Sequence, residues 1–218
     1  MMTKTKIGLA ILARKAELGK GKTRLAKGIG KQHAFEAYKH LIAVTASVSR
    51  VSKLPSIVFF DPKVGDEEVW STDHFKHGLQ VQSSNLGDRI AAGLEGVLAE
   101  AKKGALIMGT DCPTLTPEIL QAAAKALETN DAVLGPTFDG GFYLLGVRTL
   151  DPSLFDGLEW STERVADQMV AAFERLNYTY QLSPKLADID EQEDWESYQA
   201  WRVQHQLEPV VLKDKALS

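Results

Sequence analysis

At 218 residues the chain is long enough to bury one substantial hydrophobic core. Its hydrophobic fraction of 44%, charged fraction of 25% and net charge of −4 are those of an ordinary globular protein, and they argue against a nucleic-acid binder, which carries a basic balance or patch. The single cysteine, Cys112, excludes an internal disulfide and fits a reducing compartment, so a cytoplasmic location is expected.

Along the chain, strand-like and helix-like segments alternate. Lys6 to Ala13 is an apolar run read as the first strand. It is too short to cross a bilayer and leads into charge rather than a small-residue cleavage site, so neither a membrane span nor a signal peptide is expected. The polar, glycine-containing stretch Arg14 to Gly21 follows. From about Lys31 to Val51, apolar positions at Phe35, Tyr38, Leu41, Ile42 and Thr45/Ala46 recur at spacings of three and four, which predicts a helix. Ser56 to Phe60 predicts a second strand, closed by Asp61-Pro62. Gly65 to Gly78 suggests one irregular helix with Val69, Trp70 and Phe75 inward, and Leu79 to Gln82 a further strand. Asn85-Leu86-Gly87-Asp88-Arg89 opens a helix to about Ala101.

Ala105 to Met108 is uniformly apolar, as in a strand covered on both faces. A helix begins near Thr116-Pro117-Glu118, with threonine as its cap and proline in its first turn. Asp131 to Gly135 and Phe142 to Val147 predict two strands around Asp139-Gly140-Gly141. A helix is expected from Ser161-Thr162 to Leu176, a last strand over Tyr178 to Leu182, and a terminal helix from Glu191 to about Gln206 before a loose tail. This alternation predicts a three-layer α/β/α sandwich with a mostly parallel sheet and an antiparallel element near Asp139. One domain over residues 1–208 and a tail over 209–218 are expected.

Several segments carry chemistry. Asp111 lies just beyond a strand's carboxyl end, where open α/β sheets place their ligands, and reads as a metal ligand or a helix cap. Gly19-Lys20-Gly21-Lys22-Thr23-Arg24 is either a solvated basic loop or a phosphate cradle, with backbone amides freed by glycine and charge from Lys22 and Arg24. It falls short of a P-loop, because Ala16 stands where the first glycine is required. Asp188 and Asp190 alternate with Ile189, so both can face one way in an extended segment, supplying hard oxygen donors for Mg²⁺ or Mn²⁺ together with Asp111. Alternatively, Asp190 caps the following helix, helped by Glu193. Asp139-Gly140-Gly141 is a hairpin turn or a loop that approaches a ligand. Arg89 is a candidate phosphate or base contact, and Trp160-Ser161-Thr162 reads as packing before a helix cap. No histidine pair has metal-ligand spacing, and none is marked as a base for Cys112.

Lys22-Thr23-Arg24-Leu25, Gly109-Thr110-Asp111-Cys112-Pro113, Gly135-Pro136 through Asp139-Gly140-Gly141-Phe142-Tyr143, Trp160-Ser161-Thr162 and Asp188-Ile189-Asp190 occur in that order. In this set the chain resembles the DUF2064 family of GT-A-fold transferases, which includes proteins labelled arsenosugar-biosynthesis glycosyltransferases. It is more distantly similar to phospholactate guanylyltransferases. The likeness spans about Lys6 to Trp201. It departs at Lys15-Ala16-Glu17, where family members commonly carry a proline.

The resemblance implies a nucleotide-diphospho-sugar transferase fold. By position it places Lys22, Thr23 and Arg24 on phosphates, and Asp111, Asp188 and Asp190 on Mg²⁺ or Mn²⁺. It sets Asp139, Gly140 and Gly141 at the donor sugar or the acceptor, with Asp139 and Asp111 as the catalytic acids. The expected activity is glycosyl transfer from a nucleotide sugar to a small-molecule acceptor. The alternative is nucleotidyl transfer from a nucleoside triphosphate to a phosphorylated small molecule, releasing pyrophosphate. No nucleic acid or membrane partner is expected, and the sequence sets no oligomeric state.

Overall fold

The computed structural model describes residues 6–62 and 68–213. Seven strands form one sheet: β1 (Gly8–Arg14), β2 (Ser56–Asp61), β3 (Phe75–Leu79), β4 (Ala105–Met108), β5 (Ala132–Pro136), β6 (Phe142–Val147) and β7 (Tyr180–Leu182). Their spatial order is β3-β2-β1-β4-β6-β5-β7, and only β6 runs antiparallel to its neighbours. The expected fold class is thus the observed one. β4 is buried along its whole length, between β1 and β6, which is why Ala105 to Met108 carries no polar residue.

The helices are α1 (Thr23–Ile29), α2 (Lys31–Ser52), α3 (Leu86–Leu98), α4 (Pro117–Ala126), α5 (Val165–Arg175) and α6 (Gln192–Gln204). Alternate residues of the strands feed two separate cores. Leu9 and Ile11 pack with Ile42 and Ala46 of α2 and with Leu120 of α4. Ala10, Ile107 and Leu145 pack with Leu94 of α3 and Met169 of α5 on the opposite face. A third cluster joins α1, α2 and α6 through Leu25, Leu41, Ile189 and Trp195. Among the described residues no helix is long and apolar enough to cross a membrane.

Between β1 and β4 the connections reverse direction, since β2 and β3 extend one side of β1 and β4 the other. The crevice outside the carboxyl ends of such a strand pair is where this architecture leaves room for a ligand. Because β6 is antiparallel, residues 137–141, which join β5 to β6, come to the same edge of the sheet.

Four local expectations are corrected. The basic loop is followed at once by α1, a seven-residue helix that the sequence pattern did not distinguish from the loop. The strand expected at Leu79 to Gln82 lies at Phe75–Leu79 instead. It is a sheet edge, where Phe75 is buried against Trp70 while Leu79 and Val81 are 56% and 43% exposed, so the apolar alternation marked the wrong residues. The expected irregular helix reduces to a short turn at Glu68–Trp70, the remainder falling partly on residues 63–67, outside those described. Helix α5 starts at Val165, because Thr162 Oγ1 donates to the Glu159 carbonyl in a turn ahead of it.

Val210, at the start of the expected tail, is tied to α6. The Gln199 side chain donates to the Val210 carbonyl (2.8 Å) and accepts from its amide (2.9 Å). Helix α6 is in turn held to α2 by His40 and Tyr198, whose Nε2 and hydroxyl are 2.9 Å apart. Arg202 Nη1 donates to the same hydroxyl (3.1 Å), so the tyrosine proton is free for His40 Nε2, an arrangement that needs a neutral imidazole. Burial, and then the Arg202 charge, push the His40 pKa down to about 4.

An unfolded histidine protonates near pH 6.5, so below that pH the unfolded chain gains protons that the folded one refuses until about pH 4. Stability is therefore expected to fall between pH 6.5 and 4 by about 1–2 kcal/mol from this group, less than full linkage because the ring is only half-buried. Urea unfolding at pH 7 and pH 5 checks this. His40→Gln should flatten that part of the profile, and an unchanged slope would remove His40 as its source.

Candidate active site

Loop residues 15–24, Gly109 to Asp111, residues 137–141 and Asp190 surround a cleft of about 1270 Å³ at the carboxyl edge of the sheet. Lys22, Thr23, Arg24, Arg89, Asp111, Asp139, Gly141 and Asp190 all line it, so residues up to 168 positions apart in sequence face one space.

At its centre is a lysine. Lys22 Nζ lies 2.9 Å from Asp111 Oδ1, 3.1 Å from Asp190 Oδ1 and 2.5 Å from the Ile189 carbonyl. The Lys22 side chain is 8% exposed, whereas Asp111 and Asp190 are 44% and 32% exposed. Burial works to lower the lysine pKa, but the charges and hydrogen bonds of Asp111 and Asp190 outweigh it and hold the ammonium above its ordinary value. Lys22 is also the N-cap of α1, in the left-handed region at φ 42°, a conformation that side chains disfavour. Arg24 pairs with Asp190 and approaches Glu191 at 3.6 Å.

Asp190 does not cap α6. The cap is Glu191, in a box with Asp194, whose Oδ2 accepts from the amides of both Asp190 and Glu191 (2.9 and 2.8 Å). The Asp190 carboxylate is thereby free to hold Lys22 and Arg24. The Ile189 side chain is buried and its amide donates to the Asp111 carbonyl (2.9 Å), which binds the two acidic segments together. Asp188 lines a second, smaller cavity beside Asp111. Burial, then the charges of Asp139 and Asp190, raise its pKa to about 6.

Asp139 and its glycines do form the turn between antiparallel strands. Asp139 Oδ1 accepts from Thr137 Oγ1 (2.5 Å) and from the Gly141 amide (3.0 Å). Gly140 serves packing: at φ 90°, a β-carbon there would sit 1.9 Å from the Glu163 carbonyl oxygen, and its own carbonyl accepts from the Ala166 amide (2.8 Å). Gly140→Ala is expected to destabilise the fold by about 2–4 kcal/mol, from left-handed strain plus the clash. Urea unfolding would show it, and a loss under about 0.5 kcal/mol would contradict this packing.

Sequence reasoning missed other residues of the cleft wall. Arg14 at the end of β1 lies 3.4 Å from Asp61, and Tyr38 donates to the Arg14 carbonyl (3.1 Å) and accepts from its amide (3.2 Å). Tyr38 fell on the apolar face of its helix and gave no separate signal, whereas Arg14 could have been found from its place at a strand end. Trp160 packs on Phe142 and Phe155 as expected, yet it also lines the cleft. Burial, and then Asp188, Asp111 and Asp139, push the Cys112 thiol well up, which makes it a poor nucleophile.

Among the described residues no three His, Cys, Asp or Glu side chains are gathered closely enough to hold a metal ion as they stand. The donor chemistry nevertheless fits Mg²⁺ or Mn²⁺. A cation, the Lys22 ammonium, already sits between two carboxylates, and a third, Asp188, lies two residues from Asp190.

A seven-stranded sheet with this order and a cleft at its switch point defines a fold of the nucleotide-diphospho-sugar transferase type, as structural relatives show. A protein from Desulfovibrio desulfuricans, described as a candidate nucleotide-diphospho-sugar transferase, superposes with a TM-score of 0.83 at 25% identity, over 91% of this chain and 88% of its own. The 4-diphosphocytidyl-2C-methyl-D-erythritol synthase of Anaerococcus prevotii matches in fold, with a TM-score of 0.56 at 14% identity, over 93% of this chain and 100% of its own. Rv0371c from Mycobacterium tuberculosis, solved as a complex with manganese, matches with a TM-score of 0.51 at 16% identity, over 89% and 98%. No curated protein matches the sequence. The model of family DUF2064, described as an uncharacterized protein conserved in bacteria, matches residues 44–162. The chain belongs to this family.

Proposed function

We propose that the protein is a metal-dependent transferase that moves a glycosyl group from a nucleotide sugar to a small-molecule acceptor, within one domain over residues 1–208. The observation that carries this reading is the convergence of Lys22, Arg24, Asp111 and Asp190 on one cleft at the carboxyl edge of β1 and β4. Cations for a diphosphate and hard donors for its metal meet there in a space large enough for a nucleotide. The likeness to the Desulfovibrio protein, over 91% of this chain, supports a nucleotide-sugar donor.

In this reading Asp111 and Asp190, with Asp188, would hold Mg²⁺ or Mn²⁺, which supplies neutralisation of charge on the departing diphosphate. Lys22, once released from the carboxylates, and Arg24 hold the phosphate oxygens, with Thr23 beside them. Arg89 contacts the nucleotide. Asp139 orients the acceptor hydroxyl and takes its proton as the acceptor oxygen forms the new bond to the anomeric carbon. The electron pair of the broken anomeric C–O bond leaves on the nucleoside diphosphate. Gly140 and Gly141 set the position of Asp139.

A melting-temperature panel with Mn²⁺ or Mg²⁺ and a series of nucleotide sugars and nucleoside triphosphates tests the donor. A ligand at a hundred times its dissociation constant stabilises by about 2.7 kcal/mol. A metal-dependent shift selective for one nucleotide sugar, with release of nucleoside diphosphate, is the expected result. A selective response to a triphosphate with release of pyrophosphate would establish nucleotidyl transfer instead, and silence towards both would overturn the nucleotide reading.

A further inference from the structure

Among the described residues, three buried side-chain nitrogens or oxygens lack a hydrogen-bond partner, and two of them belong to residues that line the large cleft. These are Gln80 Oε1, an acceptor, and Arg89 Nε, a donor. Such orphans are few in a folded protein, because each has given up water for nothing in return. The Gln80 amide has a fixed orientation. Its Nε2 donates to the Ala13 carbonyl (3.1 Å) and to the Phe59 carbonyl (3.0 Å), so both protons are used and its oxygen can only accept. Gln80 as a whole is 8% exposed.

Other cations of the cleft are engaged by acids: Arg14 by Asp61, Lys20 by Glu17, Lys22 by Asp111 and Asp190, and Arg24 by Asp190. Arg89 has no carboxylate partner among the described residues. Apolar residues link it to Gln80. Leu12, next to Ala13, packs towards Gly93 of α3, where a β-carbon would lie 3.5 Å from Leu12 Cδ2. Leu86, one turn before Arg89, and Ile90, directly after it, line the cleft together with Leu12. This part of the cleft therefore offers an apolar wall, an acceptor in need of a proton and a guanidinium in need of acceptors.

A phosphate suits only the guanidinium, since it brings no proton to Gln80 and gains nothing from Leu12, Leu86 and Ile90. A nucleobase suits all of them, because its faces are apolar and its edge carries donors and acceptors. The order of those groups is restrictive. A guanidinium presents parallel N–H groups that match two adjacent acceptors, and Gln80 adds one acceptor that needs a donor. Guanine offers N7, O6 and then N1–H; cytosine offers O2, N3 and then its N4 amine. In adenine and uracil a donor lies between two acceptors, which would leave one N–H of the fork unpaired.

We propose that Gln80 and Arg89 read the nucleobase of the donor and select guanine or cytosine over adenine and uracil. Gln80 accepts from a base N–H, and Arg89 donates to the two acceptors beside it. Neither orphan atom faces water in the protein alone, so the base reaches them by shifting the side chains over them, as binding surfaces commonly do. The inference deepens the nucleotide-sugar reading and rests on it; Lys22 and Arg24 serve the phosphates whichever base is bound.

The test is calorimetry on the full chain with Mg²⁺, titrated with GDP, CDP, ADP and UDP. GDP or CDP is expected to bind about tenfold or more tightly than ADP and UDP. Methylating the preferred diphosphate at the N–H that is read, once at N1 of guanine or twice at N4 of cytosine, should weaken it by about tenfold or more. In Gln80→Met that penalty should shrink to about twofold or less, and in Arg89→Met the preference over adenine and uracil should vanish. A purely structural role for Gln80, holding the Ala13 and Phe59 carbonyls, would lower the melting temperature and leave both the order of bases and the methylation penalty unchanged.

Tightest binding of ADP or UDP overturns the proposal, as does a methylation penalty that survives in a folded Gln80→Met protein. If the variants unfold, the ¹⁵N resonances of the Gln80 side-chain amide and of Arg89 Nε in the unaltered protein decide. The preferred diphosphate should move both, and resonances that stay in place on binding overturn the proposal. Equal affinity for all four diphosphates removes the base assignment and keeps the nucleotide reading. Binding of none of them overturns the nucleotide reading, and the base assignment falls with it.

Discussion

Replacing Asp111 with asparagine is expected to lower turnover of the nucleotide donor by about 10³-fold while leaving the fold intact, the scale seen when one preorganised electrostatic contact to a transition state is removed. Two features of the site lead to this. Asp111 stands just past β4, where its carboxylate reaches both the cleft and Lys22, and its carbonyl anchors the Asp188 to Asp190 segment through the Ile189 amide. Asparagine keeps the shape and the carbonyl anchor but removes the charge on which a divalent cation depends. The checks are steady-state turnover of the donor with Mn²⁺ and the melting temperature without ligand. A variant that turns over within about threefold of the parent would remove Asp111 from the metal set.

The second large effect concerns Lys22. Lys22→Met preserves the buried aliphatic stem and the left-handed backbone but removes the ammonium from between Asp111 and Asp190. Without a nucleotide, Mn²⁺ should then bind at least tenfold more tightly, since the two carboxylates lose the internal cation that competes for them. Donor binding should move the other way, weakening by about 10–100-fold, because the diphosphate loses a charge-assisted contact worth about 1.5–3 kcal/mol. Free Mn²⁺ measured by electron paramagnetic resonance and donor affinity measured by calorimetry separate the two effects. Changes of the same sign in both would mean that Lys22 acts only as a structural pin. Unchanged Mn²⁺ affinity would mean that the ion binds elsewhere.

These opposite effects describe a coupling between the two ligands. Lys22 has one ammonium and two possible sets of partners, the carboxylates in the protein alone and the phosphates of a bound donor. A donor that draws Lys22 away would leave Asp111 and Asp190 open to the metal, so each ligand would favour the other, and by the same factor in both directions.

The elements that the sequence made legible were those governed by local chemistry. The uniformly apolar Ala105 to Met108 announced a central strand, and Thr116-Pro117 announced a capped helix, now seen with the Thr116 hydroxyl accepting from the Ile119 amide. Edge elements were less legible. Strand β3 keeps one buried residue, Phe75, at its start and exposes most of the others, so a pattern that assumes burial on one face slips along the chain. The start of α5 was also displaced, because a threonine that closes a turn looks in sequence like one that caps a helix.

For the site, the sequence by itself determined which residues carry charge near strand ends: Lys22, Arg24, Asp111, Asp139, Asp188 and Asp190, each placed by local alternation of strand, loop and glycine. It also left Asp190 between two roles, cap and ligand, and both are compatible with its neighbours. The tertiary structure removed the first, by giving the cap to Glu191 and Asp194, and turned Asp190 towards Lys22. The same holds for Asp188, which alternates with Asp190 in sequence yet faces a different cavity. The physical reason is that a side chain's partner is set by which distant segments share its space. Lys22 and Asp190 are 168 residues apart, and no local pattern encodes the 3.1 Å between them.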